Sequence, residues 1–237
     1  MTDRINRVEV HGTPGEGARA RGICKAIFPL IVCVFLFGVF TGLLIPVEAS
    51  APVLFGFAGV FVLVLWLAWD FYDGVSSYFK GARGEEIVAV QLSGGLPAGY
   101  HVFHDLELRG VSPIDHLVVG PSGVFVIETK FWSGRVSCSD GMLLVDGGNP
   151  SRSPVEQADV EVKALREWFS AKMNDVPPII PVVCFAGNNF DGSAGEFPFQ
   201  LRGVGVCNVN DICSFILAGK ADLSPVGIES VIKVLEF

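Results

Sequence analysis

Apolar residues are not spread evenly along this chain. Two charge-free runs dominate its first third: AIFPLIVCVFLFGVFTGLLI at 26–45 and PVLFGFAGVFVLVLWLAW at 52–69. At about 1.5 Å per residue the first run reaches about 30 Å, the depth of a bilayer's hydrocarbon core. The link between them, PVEAS, is short and carries the helix-breaking Pro46. The pattern predicts a two-helix transmembrane hairpin over 23–72, with antiparallel spans at about 26–45 and 52–70. A cleavable signal sequence fits less well, because its apolar stretch runs to only about 7–15 residues and here a second span follows at once. A buried hairpin in a soluble protein is the other alternative, and two adjacent charge-free runs of this length weigh against it.

Basic residues orient the hairpin. Arg19, Arg21 and Lys25 precede it, Lys80 and Arg83 follow it, and the link has only Glu48. Positive flanks remain on the cytoplasmic side, so both termini are expected there, in a multi-pass protein of the cell (inner) membrane. Trp66, Trp69 and Tyr72 fit an aromatic belt at the inner interface. The tail 1–22, rich in Gly, Arg and Glu, reads as disordered and basic. Its arginines fit topology or anionic lipid better than nucleic acid.

Beyond residue 72 the periodicities shorten. A connector over 73–84 leads into a helix from Glu85 to about Leu92. Alternation over 101–108 marks a half-buried strand. Residues 114–120 and 124–130 read as strands joined at Pro121-Ser122-Gly123, and 135–138 and 142–146 as a pair turned at Asp140-Gly141. A helix opens at Ser153-Pro154, with Val155, Ala158, Val162, Leu165 and Phe169 at helical spacing. Runs 179–187 and 204–209 read as buried strands, and a short helix and a final helix from Ser224-Pro225 follow. This order predicts an α/β fold, a mixed sheet flanked by helices, over 85–237.

Composition sharpens that division. Half of the residues (50%) are hydrophobic and only 18% are charged, against about 25% charged in an ordinary soluble domain. Wholesale disorder is excluded. From Asp73 onward twenty acidic side chains face twelve basic ones, so the whole net charge of −8 lies there. Such a domain is a poor non-specific binder of DNA phosphates. The six cysteines form no C-x-x-C pair and read as reduced, mostly buried apolar residues.

The chemistry concentrates in one hairpin. If 114–120 pairs with 124–130, Asp115 near the start of one strand approaches Glu128 and Lys130 near the end of the other. Glu128 and Lys130 share a face, since side chains alternate. Two carboxylates, with the carbonyl of Thr129, could hold Mg2+ or Mn2+. Lys130 could hold a water or offset charge on a phosphate. An E-x-K pair is usually a solvated strand face. Here it follows four apolar residues, where unpaired charges are rarely tolerated. His101 and His104 are three apart, a poor spacing on a strand for one metal. The run 187–195 lacks the lysine of a phosphate-binding loop.

Taken together, Gly81-Ala-Arg-Gly84-Glu85, then IDHLVV at 114–119, GVFVIETK at 123–130 and Trp132-Ser133-Gly134 resemble the nuclease-related domain (NERD) family of the PD-(D/E)XK nuclease-like superfamily. The resemblance covers about 80–190. It implies a restriction-endonuclease-like core and a metal-dependent site that cleaves phosphodiester bonds. It also implies catalytic roles for Glu85, Asp115, Glu128 and Lys130, with Glu86 the neighbouring alternative to Glu85, and metal ligation by Asp115, Glu128 and Thr129. Gln157 matches a glutamine that the family often carries on the next helix, where it could orient the site. Trp132 could stack on a base or simply pack.

Three functions are open at this stage. One is a membrane-anchored nuclease cutting DNA or RNA with Mg2+ or Mn2+. A second is a catalytically weak nuclease-fold module that binds nucleic acid or acts as a scaffold, which the acidity of the domain favours. The third is a structural membrane protein that associates through its hairpin, for which Gly56 and Gly59 give only a partial small-residue pattern.

Overall fold

The computed structural model describes residues 8–44, 51–187 and 198–236. The chain divides into two compact units, Gly17–Lys80 and a second made of Met1–Glu16 with Gly81–Phe237. Its elements in order are β1 (Glu9–His11), α1 (Glu16–Leu44), α2 (Ala51–Gly95), β2 (His101–Leu106), β3 (Ile114–Gly120), β4 (Gly123–Lys130), β5 (Val136–Ser139) and β6 (Met142–Val145). They continue with α3 (Pro154–Ser170), β7 (Ile179–Phe185), β8 (Phe199–Leu201), β9 (Val204–Asn208), α4 (Ile212–Leu217) and α5 (Pro225–Leu235).

Within Gly17–Lys80, α1 and α2 meet where Lys25 Nζ sits 5.0 Å above the Tyr78 ring and Gly22 fits against Tyr78. The apolar residues around them find little cover: Phe28, Phe35 and Trp66 are about two-thirds exposed and Phe55 is 77% exposed. Among the described residues one helix, over Glu16–Val39, is long and apolar enough to cross a membrane, judged by length and composition. The expected second span falls in α2, where the side chains of 51–54, 57, 64–65 and 67–73, including Trp69 and Tyr72, lie outside the described residues. The expected link at 46–50 lies outside them as well.

Two boundaries differ from the sequence reading. The expected connector 73–84 is helical throughout, because no proline interrupts it and the register of α2 carries on into 85–95. Of the expected disordered tail 1–22, residues 1–7 lie outside the described residues and 8–22 carry a strand and the start of a helix. Val8 is buried, β1 runs parallel to β2, and α1 already begins at Glu16.

The second unit is built on a seven-stranded sheet in the order β1-β2-β3-β4-β7-β9-β8. β2, β3 and β4 form an antiparallel meander, and β4, β7 and β9 run parallel. This is the mixed sheet flanked by helices that the periodicities predict. β5 and β6 stand apart as a two-stranded sheet. Their turn places Asp140 and Gly141 at φ of 51° and 70°, the left-handed geometry that an Asp-Gly hairpin supplies.

Both faces of the large sheet are covered. Phe125 and Ile127 of β4 pack on one side with Val88 and Leu92 of α2 and Ile212 and Ile216 of α4. Val124 and Val126 pack on the other with Leu165 and Phe169 of α3 and Ile228 and Val231 of α5. Double burial explains why β4 reads as a continuous apolar run rather than an alternating one.

Candidate active site

β4 is the pivot. It lies inside the sheet between β3 and β7 and is buried from Gly123 to Thr129. Its last residues therefore place a carboxylate and an ammonium where water is scarce. Glu128 is 2% exposed, and Lys130 is held against Glu128 Oε1 as an ion pair. The β3–β4 hairpin closes tightly, with Gly120 opposite Gly123. That register brings the start of β3 beside the end of β4, and the backbone N–H of Thr129 donates to Asp115 Oδ2 at 2.8 Å.

α3 covers the same corner. Ser153 caps it by accepting from the N–H of Glu156, and Pro154 starts its first turn. One turn in, Gln157 Oε1 accepts from Lys130 Nζ at 3.2 Å, and Gln157 Nε2 donates to Glu161 Oε1 at 3.1 Å. The ammonium of Lys130 is thus fixed from two sides. α2 brings Glu85, which is buried. Gly84 permits the approach, since a Cβ there would stand 2.7 Å from Phe131 Cβ.

The structure therefore brings together Asp115, Glu128, Thr129, Lys130 and Gln157, and Glu85 adds its charge to the group. Glu86 is only half-buried. Sequence reasoning missed Glu161, which is 2% exposed. Its signal was present: it stands three residues after Ala158 and four before Leu165, on the apolar stripe of an amphipathic helix. A carboxylate on that stripe has to be compensated.

The acids of this corner also act on one another. Burial, then the charges of Glu128 and Glu85, push the Asp115 carboxyl well above the usual range, against the pull of the Thr129 N–H and Lys130. Burial, then Glu128, raise Glu161 to about 8. Lys130 lies near Asp115, Glu128 and Glu161 at once, and burial with mutual repulsion shifts Asp115 and Glu161 upward. Thr129 Oγ1 is buried with no hydrogen-bond partner, and the carboxyls of Glu128 and Glu161 face each other, with Oε2 of each buried and meeting no donor from another residue. An excess of hard oxygen donors with open lone pairs fits a hard divalent cation.

The remaining candidates have other settings. Trp132 packs edge-on against Phe185 at 5.3 Å. His104 and His116 pair across β2 and β3 at 2.7 Å between Nδ1 atoms. Cys184, Cys207 and Cys213 are buried, Cys24 is exposed, Cys33 and Cys138 are intermediate, and all six are free thiols. Of the run 187–195, all but Gly187 lies outside the described residues.

The seven-stranded mixed sheet flanked by helices fits a nuclease-like fold, and residues 80–186 match the nuclease-related domain (NERD) family. The match supports the nuclease-related reading of that segment and is compatible with nucleic-acid binding. The chain is also similar to an uncharacterized protein of Bacillus anthracis, 38% identical over 100 residues that make up 38% of this chain and 47% of that protein. The chain thus spans about half the length of that relative. No solved structure matches it.

Proposed function

We propose that this protein is a membrane-anchored, Mg2+- or Mn2+-dependent nuclease that cleaves phosphodiester bonds of DNA or RNA on the cytoplasmic side. The observation that carries the proposal is the acidic corner: Asp115, Glu128 and Glu161 close to the ammonium of Lys130, with Glu85 adding its charge to Asp115 and the Thr129 hydroxyl buried without a hydrogen-bond partner. Asp115, Glu128 and Thr129 would hold the cation, with Glu161 beside them. The ion would supply Lewis-acid stabilisation of a phosphate and a more acidic bound water. The chain's own groups do the rest. Lys130, oriented by Gln157, offers positive charge to a phosphate oxygen. Glu128 and Gln157 keep that charge in place, and the apolar walls of β4 limit competing water.

Membrane anchoring rests on the exposed apolar helices and on connectivity. β1 and β2 flank Gly17–Lys80 in the chain and hydrogen-bond to each other. If 17–80 enters a bilayer, this pairing requires both flanks on one side and an even number of crossings. Two antiparallel spans satisfy that condition. Arg19, Arg21, Lys25, Lys80 and Arg83 favour the cytoplasmic side of the cell (inner) membrane for both flanks.

The test is cleavage of DNA and RNA by the full chain in detergent, with and without Mn2+. Metal-dependent cutting is expected, falling about 100-fold or more in Lys130→Ala and Asp115→Ala. Equal cutting by wild type and both variants would reject the site. A second reading, a nuclease-fold module with little activity, is favoured by the net charge of −8, which leaves few basic groups for a nucleic-acid backbone. Mn2+ binding without any cleavage would favour it.

A further inference from the structure

A second cluster of ligating side chains lies at the β1 edge of the sheet. β1 and β2 are parallel with Glu9 opposite His101 and His11 opposite Phe103. Residues opposite each other, or two apart, point to the same face. Glu9, His11 and His101 therefore project together. One ligand atom from each lies within 4.8 Å of the other two. Glu9 Oε2 is 3.3 Å from His101 Nδ1, yet that nitrogen makes no hydrogen bond. His11 Nε2 is likewise buried and without a partner.

The rings are held rather than loose. His11 stacks on Phe103 at 4.4 Å and 11°, and on His101 at 6.0 Å and 28°. Glu236 adds a further negative charge near the His101 ring. Two imidazoles and one carboxylate select borderline ions over Mg2+, which prefers all-oxygen sites.

We infer that Glu9, His11 and His101 form a transition-metal site of the Zn2+ class, separate from the carboxylate corner. Three protein ligands leave a coordination position open. His101 also lines a cleft of about 400 Å3 with Gly99, Pro121, Ile228, Glu229 and Ile232, which gives an ion a route in. The bound ion ties the segment ahead of α1 to the sheet. A three-residue strand otherwise has few bonds to hold it.

The experiment uses the full chain in detergent, stripped of metal, with Mg2+ in excess to occupy the carboxylate corner. Zn2+ is titrated by competition with a chromophoric chelator, and Co2+ is followed by its visible absorption. One tight Zn2+ equivalent per chain is expected to disappear in His11→Phe and His101→Phe. The first of these keeps the stack on Phe103, and circular dichroism checks the fold of both. Glu9→Gln should weaken the same equivalent by more than about tenfold. Zn2+ should raise the melting temperature of the wild type and not of the histidine variants. An unchanged Zn2+ stoichiometry in both histidine variants, or no Zn2+ binding by the wild type, overturns the assignment.

Discussion

Glu161 has a protonation state set by its surroundings. Its folded pKa of about 8 lies above the ordinary 4.5. Between those values the native state holds a proton that the unfolded chain has lost. Its contribution to stability is therefore complete below about pH 4.5 and is lost as pH rises through 8. Glu161→Gln should remove this slope, up to about 1.4 kcal/mol per pH unit, in denaturant melts run from pH 5 to 8. The paired histidines act from the other side. Burial lowers His104 to about 4 and His116 well below its usual value, with His104 adding to the latter. Their unfolded forms charge first, so stability present above pH 6.5 should fall as acid approaches pH 4. In His104→Phe the acid limb should become shallower in the same melts. Metal binding ties these protons to function. Mn2+ at the corner should displace the proton of Glu161, read as buffer-dependent heats in calorimetry at pH 7. Heats independent of the buffer would count against the ion sitting there.

Elements bring these residues together, and two small features govern how. Gly84 is where α2 meets the end of β4. Gly84→Val would drive a side chain into Phe131 and should cost about 1–3 kcal/mol in a thermal or denaturant melt. Ser153 starts the helix that presents Gln157 and Glu161. Ser153→Ala should cost about 0.5–2 kcal/mol. Much at this scale was legible in the sequence. The strands 114–120 and 124–130, the Asp-Gly turn and the Ser-Pro helix starts all fall where periodicity and turn chemistry place them. From those strands the meeting of Asp115, Glu128 and Lys130 follows by alternation and register alone. Other features were hidden for physical reasons. β1 has three residues, too few for a period to register, and its partner lies far along the chain. Glu161 was passed over because a helical carboxylate is usually solvated. Only the packing of α3 onto β4 shows that this one is not.

At the level of the whole molecule, Gly17–Lys80 interrupts a unit built from both of its flanks. The ends of that interruption are close: a Cβ on Gly15 would stand 2.9 Å from Ala82 Cα. Replacing 17–80 by a few glycines should leave a folded chain that no longer sediments with membranes, measured by fractionation and circular dichroism. A fragment beginning near residue 73 should do worse, because it leaves the edge of β2 uncovered and lacks Val8. The two hydrophobic runs announced a separate apolar unit in the sequence. The return of the leading segment into the sheet was not announced, since contacts between distant segments leave no local pattern. That return also imposes an order on biosynthesis. A ribosome releases β1 early, and the strand it pairs with among the described residues, β2, is not translated until the whole apolar insert has been made. During that interval the amides of Glu9–His11 have no native strand to bind, so the speed of elongation through the insert sets how long they stay exposed to wrong partners.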